Sequence, residues 1–288
     1  MSDGDRRERD PSSIRSPFDL FDVTGRVAVV TGGLGQLGRQ YCRTLAGAGA
    51  RVAALDLAAD QAAVARAFPD LVGSPACPFG VTADVTDRDS LEDALARIQA
   101  EAGIPDILIN NAALDSPPNA ALEENGPFET YPQESWRRVF SVNAEGVFLC
   151  CQVFGGAMAE AGRGSIVNVA SIYGLVSPDQ SLYQYRRHRG EEFYKPVAYS
   201  ASKSALYNLT RYLATYWGRA GVRVNTVTLA GVFNGQDPEF LAAYEPRVPL
   251  GRMADERDYN GVMLFLASDA SRYVTGSNLV ADGGWTAW

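Results

Sequence analysis

Two sets of residues in this sequence have types and spacings that could do chemistry. The first is Thr31-Gly32-Gly33-Leu34-Gly35-Gln36-Leu37-Gly38, which runs from a short apolar stretch straight into a helical pattern. Glycines at such a turn allow a tight bend and a close backbone approach to a pyrophosphate, whose charge the following helix N-terminus stabilises. Alone, the loop is also compatible with a turn that binds nothing. Asp56 adds to it, following Val52-Ala53-Ala54-Leu55 at about the distance expected of an acid that accepts hydrogen bonds from both hydroxyls of an adenosine ribose. A helix-capping role for Asp56 would leave that spacing unexplained. The carboxylate would repel a 2′-phosphate, and neither the loop nor Leu57-Ala58-Ala59 offers an arginine to offset it, so NAD is expected over NADP. The second set is Tyr199 and Lys203, four residues apart at the start of a helical run and therefore on one face, able to meet over one site. Ser171 ends an apolar run upstream, and Asn143 lies in a helical segment before that.

The elements that must position these groups follow from periodicity. Apolar, β-branched runs at Val27–Val30, Val52–Leu55, Phe79–Ala83, Ile107–Ile109, Ser165–Val169, Val222–Val227 and Asn278–Ala281 read as seven strands. Helical patterns lie between them at Gln36–Ala48, Ser90–Ala102, Glu134–Ala161, Tyr199–Gly218 and Glu256–Ala267. Strands apolar on both faces and separated by helix-length crossovers predict an α/β, doubly wound, Rossmann-type parallel sheet with helices on both faces. No linker or repeat divides the chain, so residues 18–288 read as one domain behind a polar N-terminal tail, 1–17, expected to be disordered. Two long irregular stretches, Leu114–Gln133 and Leu175–Lys195, follow predicted strand ends, the edge where ligands bind in such sheets.

Composition narrows the classes. The chain has 288 residues and a formal charge of -8, from 26 Lys+Arg against 34 Asp+Glu, so a basic face for nucleic acid is not expected. Only two of the basic residues, Lys195 and Lys203, are lysines. One histidine, His188, and four scattered cysteines, Cys42, Cys77, Cys150 and Cys151, do not make a metal site or a histidine-dependent triad. Buried reduced thiols, the absence of a secretory apolar stretch in 1–17 and the absence of ~18 uninterrupted apolar residues predict a cytoplasmic protein without membrane contact.

The chain resembles the short-chain dehydrogenase/reductase family over nearly everything from Phe18 to Trp285. The resemblance rests on Thr31–Gly38, Asp84-Val85, Asn110-Asn111-Ala112-Ala113, Asn143, Ser171, the Tyr199/Lys203 pair, Pro249-Leu250-Gly251-Arg252, Asp269, Thr275-Gly276 and Asp282-Gly283-Gly284. It implies that Tyr199 is the general base in oxidation, its phenol (ordinarily near 10) lowered by Lys203 and the nicotinamide. Lys203 would also hold the nicotinamide ribose, Ser171 would donate to the substrate oxygen, and Asn143 would anchor a water leading protons from Lys203 to solvent. Gly32, Gln36, Leu37, Gly38, Asp56 and Leu57 would contact the dinucleotide, as would Asp84 and Val85 at the adenine and Asn111-Ala112 at the adenosine ribose. Val232 would meet the carboxamide, with Asn234 nearby.

Four positions depart from the family pattern: Gln36 takes a usual glycine position, Ala113 ends the Asn-Asn-Ala-Gly motif, Leu229-Ala230 replaces Pro-Gly, and Asn234 replaces a threonine. The 28 positions from Ser171 to Tyr199 are about twice the common spacing, which places an insertion at about 175–195 beside the substrate. Its Tyr183, Arg186, Arg187, His188 and Arg189 suit a polyhydroxylated, anionic ligand, or else form a solvated or subunit-facing surface. The expected function is NAD-dependent oxidation of a hydroxyl of a sugar or sugar acid. Rival readings are an NAD(P)H-dependent reductase of 3-oxoacyl or other ketones, and a silent dinucleotide-binding sensor. The resemblance also implies a homo-oligomer, tetramer or dimer, in which Trp285 and Trp288 could cover a partner's site.

Overall fold

The computed structural model describes residues 16–115 and 122–288. Ser16 caps a short turn at Pro17–Phe21, across the boundary expected at residue 18; residues 1–15 of the expected tail lie outside the described residues. Strands β1 (Val27–Thr31), β2 (Arg51–Asp56), β3 (Phe79–Thr82), β4 (Ile107–Asn110), β5 (Gly164–Ser171), β6 (Val222–Leu229) and β7 (Asn278–Ala281) form one parallel sheet in the order β3-β2-β1-β4-β5-β6-β7. The longer helices between them are α1 (Gln36–Gly47), α2 (Gln61–Ala67), α3 (Arg88–Glu101), α4 (Gln133–Glu160), α5 (Val197–Trp217), α6 (Pro238–Tyr244) and α7 (Asn260–Ala267).

Strand alternation sorts the core into two layers. Val27 and Val29 face one side with Leu55, Leu108 and Ile166, against Leu91, Phe154, Met158 and Leu206 of α3, α4 and α5. Ala28 and Val30 face the other, with Val52, Ile109 and Val167, against Leu45, Met263 and Leu266 of α1 and α7. Helix α4 is long and apolar enough to cross a membrane by composition, but half of its most apolar stretch is buried under this sheet. A third, smaller cluster of Leu182, Tyr183, Phe193, Tyr244, Val248 and Met253 lies under the insertion and takes in Trp285.

All seven expected strands form. Two of the longer helices went unread, α2 and α6, although each carries a cap: Asp60 accepts from Ala63, and Asp237 accepts from Glu239 ahead of Pro238; the short helix Gln184–His188 lies within the stretch expected to be irregular. The expected helix at Glu256 starts instead at Asn260. The Asp258 carboxylate accepts the Asp255 amide at 2.7 Å and Asp255 accepts the Arg257 amide at 3.0 Å, so side chains compete with the helical ladder there. Helix α4 contains two π turns, Ser141–Glu145 and Cys151–Gly155, and Asn143 lies in the first.

Candidate active site

The sheet order reverses between β1 and β4, and the strand ends there are tied together by side chains. Thr31 Oγ1 accepts the backbone amides of Asn111 and Ala112, both at 3.0 Å. Asn111 donates back through its carboxamide to the carbonyls of Thr31 (3.0 Å) and Gly32 (3.2 Å). Gly32 has φ +61°, and a Cβ there would stand 3.0 Å from Ala112 Cα. A Cβ on Gly38 would fall 2.0 Å from the Gly32 carbonyl oxygen, so α1 can meet the loop only through a glycine. Gly35 caps α1 with no side-chain hydrogen bond, which leaves the first-turn amides of α1 as donors for an anion.

Asp56 closes β2 and accepts the Leu34 amide at 3.0 Å on one oxygen and the Leu57 amide at 2.9 Å on the other. Since α2 is capped by Asp60, the capping role for Asp56 is excluded. Leu57 is exposed beside it. Asp84 Oδ1 accepts the amide and hydroxyl of Thr86 at 2.8 and 2.7 Å, and Val85 is buried against Gly146 of α4. A glycine loop packed too closely against its own backbone for a Cβ at Gly32 or Gly38, next to an uncapped helix start and a carboxylate, fits a dinucleotide.

The proton-handling groups gather at the ends of β5 and α5. Ser171 is the last residue of β5, and its hydroxyl accepts the Tyr173 amide at 3.2 Å and hydrogen-bonds the Tyr199 hydroxyl. Lys203, one turn along α5, is buried and donates from Nζ to the Val169 carbonyl at 2.7 Å. Burial lowers the Lys203 ammonium to about 8, against an opposing pull from Asp115. Burial raises the Tyr199 phenol above its ordinary value and Asp115 adds to this, while the Ser171 bond works the other way. In the protein alone burial is the largest influence on this phenol. Asn143, fully buried, clamps Leu114 from both sides: Oδ1 accepts its amide at 2.7 Å, and Nδ2 donates to its carbonyl at 2.8 Å and to Ser202 Oγ at 3.1 Å. Both amide hydrogens are taken, so a water at Asn143 has an acceptor to meet and no side-chain donor.

A family model described as enoyl-(acyl carrier protein) reductase matches residues 33–286. A D-threitol dehydrogenase from Mycolicibacterium smegmatis is 36% identical over 274 residues, covering 93% of this chain and 95% of the relative. A galactitol 2-dehydrogenase (L-tagatose-forming) from Cereibacter sphaeroides is 34% identical, over 93% of this chain and 98% of its own. The chain belongs to the short-chain dehydrogenase/reductase family. The crystal structure of a gluconate 5-dehydrogenase from Burkholderia cenocepacia, in complex with NADP and tartrate, superposes with a TM-score of 0.81 at 25% identity, covering 95% of this chain and 100% of that one. The protein is therefore a dinucleotide-dependent oxidoreductase of CH–OH groups with the Rossmann-type fold expected.

In this short-chain dehydrogenase the departures from the family pattern have visible consequences. Gln36, where a glycine is usual, donates from Nε2 to the Phe233 carbonyl at 2.9 Å and bridges the glycine loop to the segment after β6. The Val232 carbonyl already accepts Gln236 Nε2 at 2.9 Å, and the Asn234 amide donates to Gln236 Oε1 at 2.6 Å. Val232 and Asn234, expected near the carboxamide, lie in a segment folded around Gln236.

The insertion departs furthest from expectation. Arg186 pairs with Glu191 and lies 4.0 Å over the Phe193 ring. Arg187 donates to the carbonyls of Gln180 and Phe193, both at 2.9 Å. Arg189 pairs with Asp237 at 2.8 Å and with Glu239. His188 is exposed and meets Gln184 at 3.4 Å, and Tyr183 is buried with its hydroxyl bonded to Tyr173. These five residues were expected either to contact substrate or to form a solvated or subunit-facing surface; the arginines and Tyr183 are held by groups of the same chain. Trp285 stacks on Tyr244 of its own chain at 4.5 Å, while Trp288 is exposed.

Sequence reasoning missed Lys195, Asp115 and Tyr173. The Lys195 ammonium pairs with Asp115 and lies 4.8 Å from the centroid of the Tyr199 ring. The available signal was that Lys195 is the only lysine besides Lys203.

Proposed function

We propose that this enzyme is an NAD-dependent dehydrogenase that oxidises a hydroxyl of a sugar alcohol or sugar acid. The observation that carries the reading is the meeting of Ser171, Tyr199 and Lys203 at the sheet edge that also presents Asp56. Bound NAD supplies the hydride acceptor. Ser171 holds and polarises the substrate oxygen, and Tyr199 takes the hydroxyl proton as charge develops on that oxygen. Lys203, with an ammonium lowered to about 8, passes a proton onward and holds the ribose hydroxyls. Asp56 accepts from the adenosine ribose, and its charge with no arginine in the loop supports NAD over NADP. The relatives named for threitol and galactitol support a polyhydroxylated substrate.

The unpaired thiols of Cys42, Cys150 and Cys151, all buried, support a reducing, cytoplasmic setting. The stacked, exposed rings of Tyr212 and Tyr216 on α5, with exposed Phe148 on α4, support a homo-oligomer, a tetramer or dimer.

The test is the formation of reduced cofactor from NAD or NADP with sugar alcohols and aldonates, set against oxidation of NADPH by a 3-oxoacyl ketone. Turnover of a polyol or aldonate with NAD is expected. Turnover confined to the ketone with NADPH would return the reductase reading.

A further inference from the structure

We infer that Tyr207 is a positioning residue for the reaction: by donating a hydrogen bond to the Ser171 carbonyl, it sets where Ser171 presents its own hydroxyl to the substrate and to Tyr199. This rests on the dehydrogenase reading above, in which Ser171 polarises the substrate oxygen.

Tyr199, Lys203 and Tyr207 are spaced by four along α5 and lie on one face of it. All three reach the end of β5. The Tyr199 hydroxyl meets the Ser171 hydroxyl, Lys203 Nζ donates to the Val169 carbonyl at 2.7 Å, and Tyr207 Oη donates to the Ser171 carbonyl at 3.1 Å. Ser171 is therefore held by two tyrosines of one helix, its side chain by the first and its backbone by the second. The turn that follows is seated on the same helix: Ser204 Oγ donates to the Gly174 carbonyl at 2.7 Å, and a Cβ on Gly174 would stand 2.8 Å from the Lys203 backbone.

The Tyr207 hydroxyl is itself fixed. Its ring packs on the core layer beneath α5, and its oxygen lies 2.9 Å from Oγ1 of the buried Thr228 on β6. Thr228 in turn donates to Asn278 Oδ1 on β7 at 2.7 Å. A threonine hydroxyl has one hydrogen, so with that hydrogen on Asn278 it is an acceptor toward Tyr207, and Thr228 competes with the Ser171 carbonyl for the phenolic hydrogen. Burial raises the Tyr207 phenol above its ordinary value, which keeps it a neutral donor while Tyr199 exchanges its proton. Ser171 Oγ has to serve the Tyr173 amide, Tyr199 and the substrate oxygen together, so its place matters to the rate.

The experiment follows the single-turnover rate of NADH formation with a sugar alcohol and with an aldonate, in the wild type, Tyr207→Phe, Thr228→Val, Ser171→Ala and the Ser171→Ala/Tyr207→Phe double variant. Misplacing a reacting group by about 1 Å can cost roughly 100-fold, and release of one carbonyl allows a smaller shift, so Tyr207→Phe should slow the step about tenfold. NAD affinity should stay unchanged. In the Ser171→Ala background the same substitution should change the rate by less than about twofold, because the group it positions is gone. Thr228→Val removes the competing acceptor, leaves the phenolic hydrogen to Ser171 and should keep a rate close to wild type. Thermal midpoints report folding. An unchanged rate in folded Tyr207→Phe, equal losses in both Ser171 backgrounds, or a loss in Thr228→Val as large as in Tyr207→Phe would each overturn the role. A wild type that reduces a ketone with NADPH but oxidises neither class overturns the dehydrogenase reading alone, since the same cycle then runs on the ketone. A wild type with no turnover in either direction overturns both.

Discussion

Gln36 and Phe233 are joined by a 2.9 Å hydrogen bond from the Gln36 carboxamide to the Phe233 carbonyl, linking the glycine loop to the segment after β6 across the crevice between them. A glycine at position 36 would have no such reach. Gln36→Gly should therefore speed both entry and release of the dinucleotide, with the larger change in release. Stopped-flow NADH fluorescence should show a release rate raised several-fold in the variant; an unchanged rate would make the bond incidental.

Asp56 already serves two backbone amides, Leu34 and Leu57. Asp56→Ala removes the ribose acceptor and leaves both amides without it, at about 1.5–3 kcal/mol for a charged hydrogen bond, or roughly 10- to 150-fold in NAD affinity. Since the repelling charge also goes, the ratio of NADP to NAD efficiency should rise by at least about tenfold. Titrating both cofactors against wild type and variant decides it, and an unmoved ratio would remove Asp56 from cofactor choice.

Tyr199→Phe should cut kcat by roughly 10²- to 10⁴-fold, the range for a positioned acid–base group, while NAD affinity changes little. Full turnover by the variant would mean that another group takes the substrate proton.

The lowered Lys203 ammonium has a consequence for stability against pH. Its pKa falls from 10.5 when unfolded to about 8 when folded, so between pH 8 and 10.5 the unfolded chain binds more protons and stability rises with pH. Below pH 8 both states are charged and the burial penalty is complete; above 10.5 neither is, and the penalty is gone. A shift of this size corresponds to about 3 kcal/mol. The raised Tyr199 phenol acts oppositely above its ordinary value of 10, because the unfolded phenol ionises there and the folded one does not. The rise should thus be clearest between pH 8 and 10 and should shrink in Lys203→Met, as followed by urea denaturation at a series of pH values.

Arg187 and Arg189 separate two kinds of loop fastening. Arg189 makes exposed ion pairs, and Arg189→Ala should leave the thermal midpoint nearly unchanged. Arg187 holds two backbone carbonyls, one of them on Gln180, which positions Lys195. Arg187→Ala should raise substrate KM several-fold for neutral and anionic substrates alike. A loss confined to anionic substrates would mean that Arg187 touches them.

The sheet was legible because buried parallel strands are written as continuous apolar runs, and Val27–Val30 or Val222–Val227 cannot be read otherwise. Tyr199 and Lys203 were legible because a spacing of four is local to one helix face. Asp56 was legible through its distance from the glycine loop. The insertion was misread for a physical reason: a charge count within it shows surplus arginine, whereas Asp237 and Glu239, the partners of Arg189, lie 48 and 50 residues further along the chain. The Lys195–Asp115 pair spans 80 residues and was invisible for the same reason. The capping carboxylates Asp60 and Asp237 were readable signals that short helices let pass.

The aromatic stack under the insertion runs from Phe193 through Tyr183 and Phe240 to Tyr244 and ends on Trp285, three residues before the chain stops. Asp282 anchors that final stretch by accepting the amides of Gly284 and Thr286 at 2.9 and 2.8 Å. The stretch from Asp282 to Thr286 is thus a structural strut for the substrate side of the enzyme. Whatever displaces Trp285 would therefore pull on the floor of the substrate loop, although no part of that stretch lies within the loop itself.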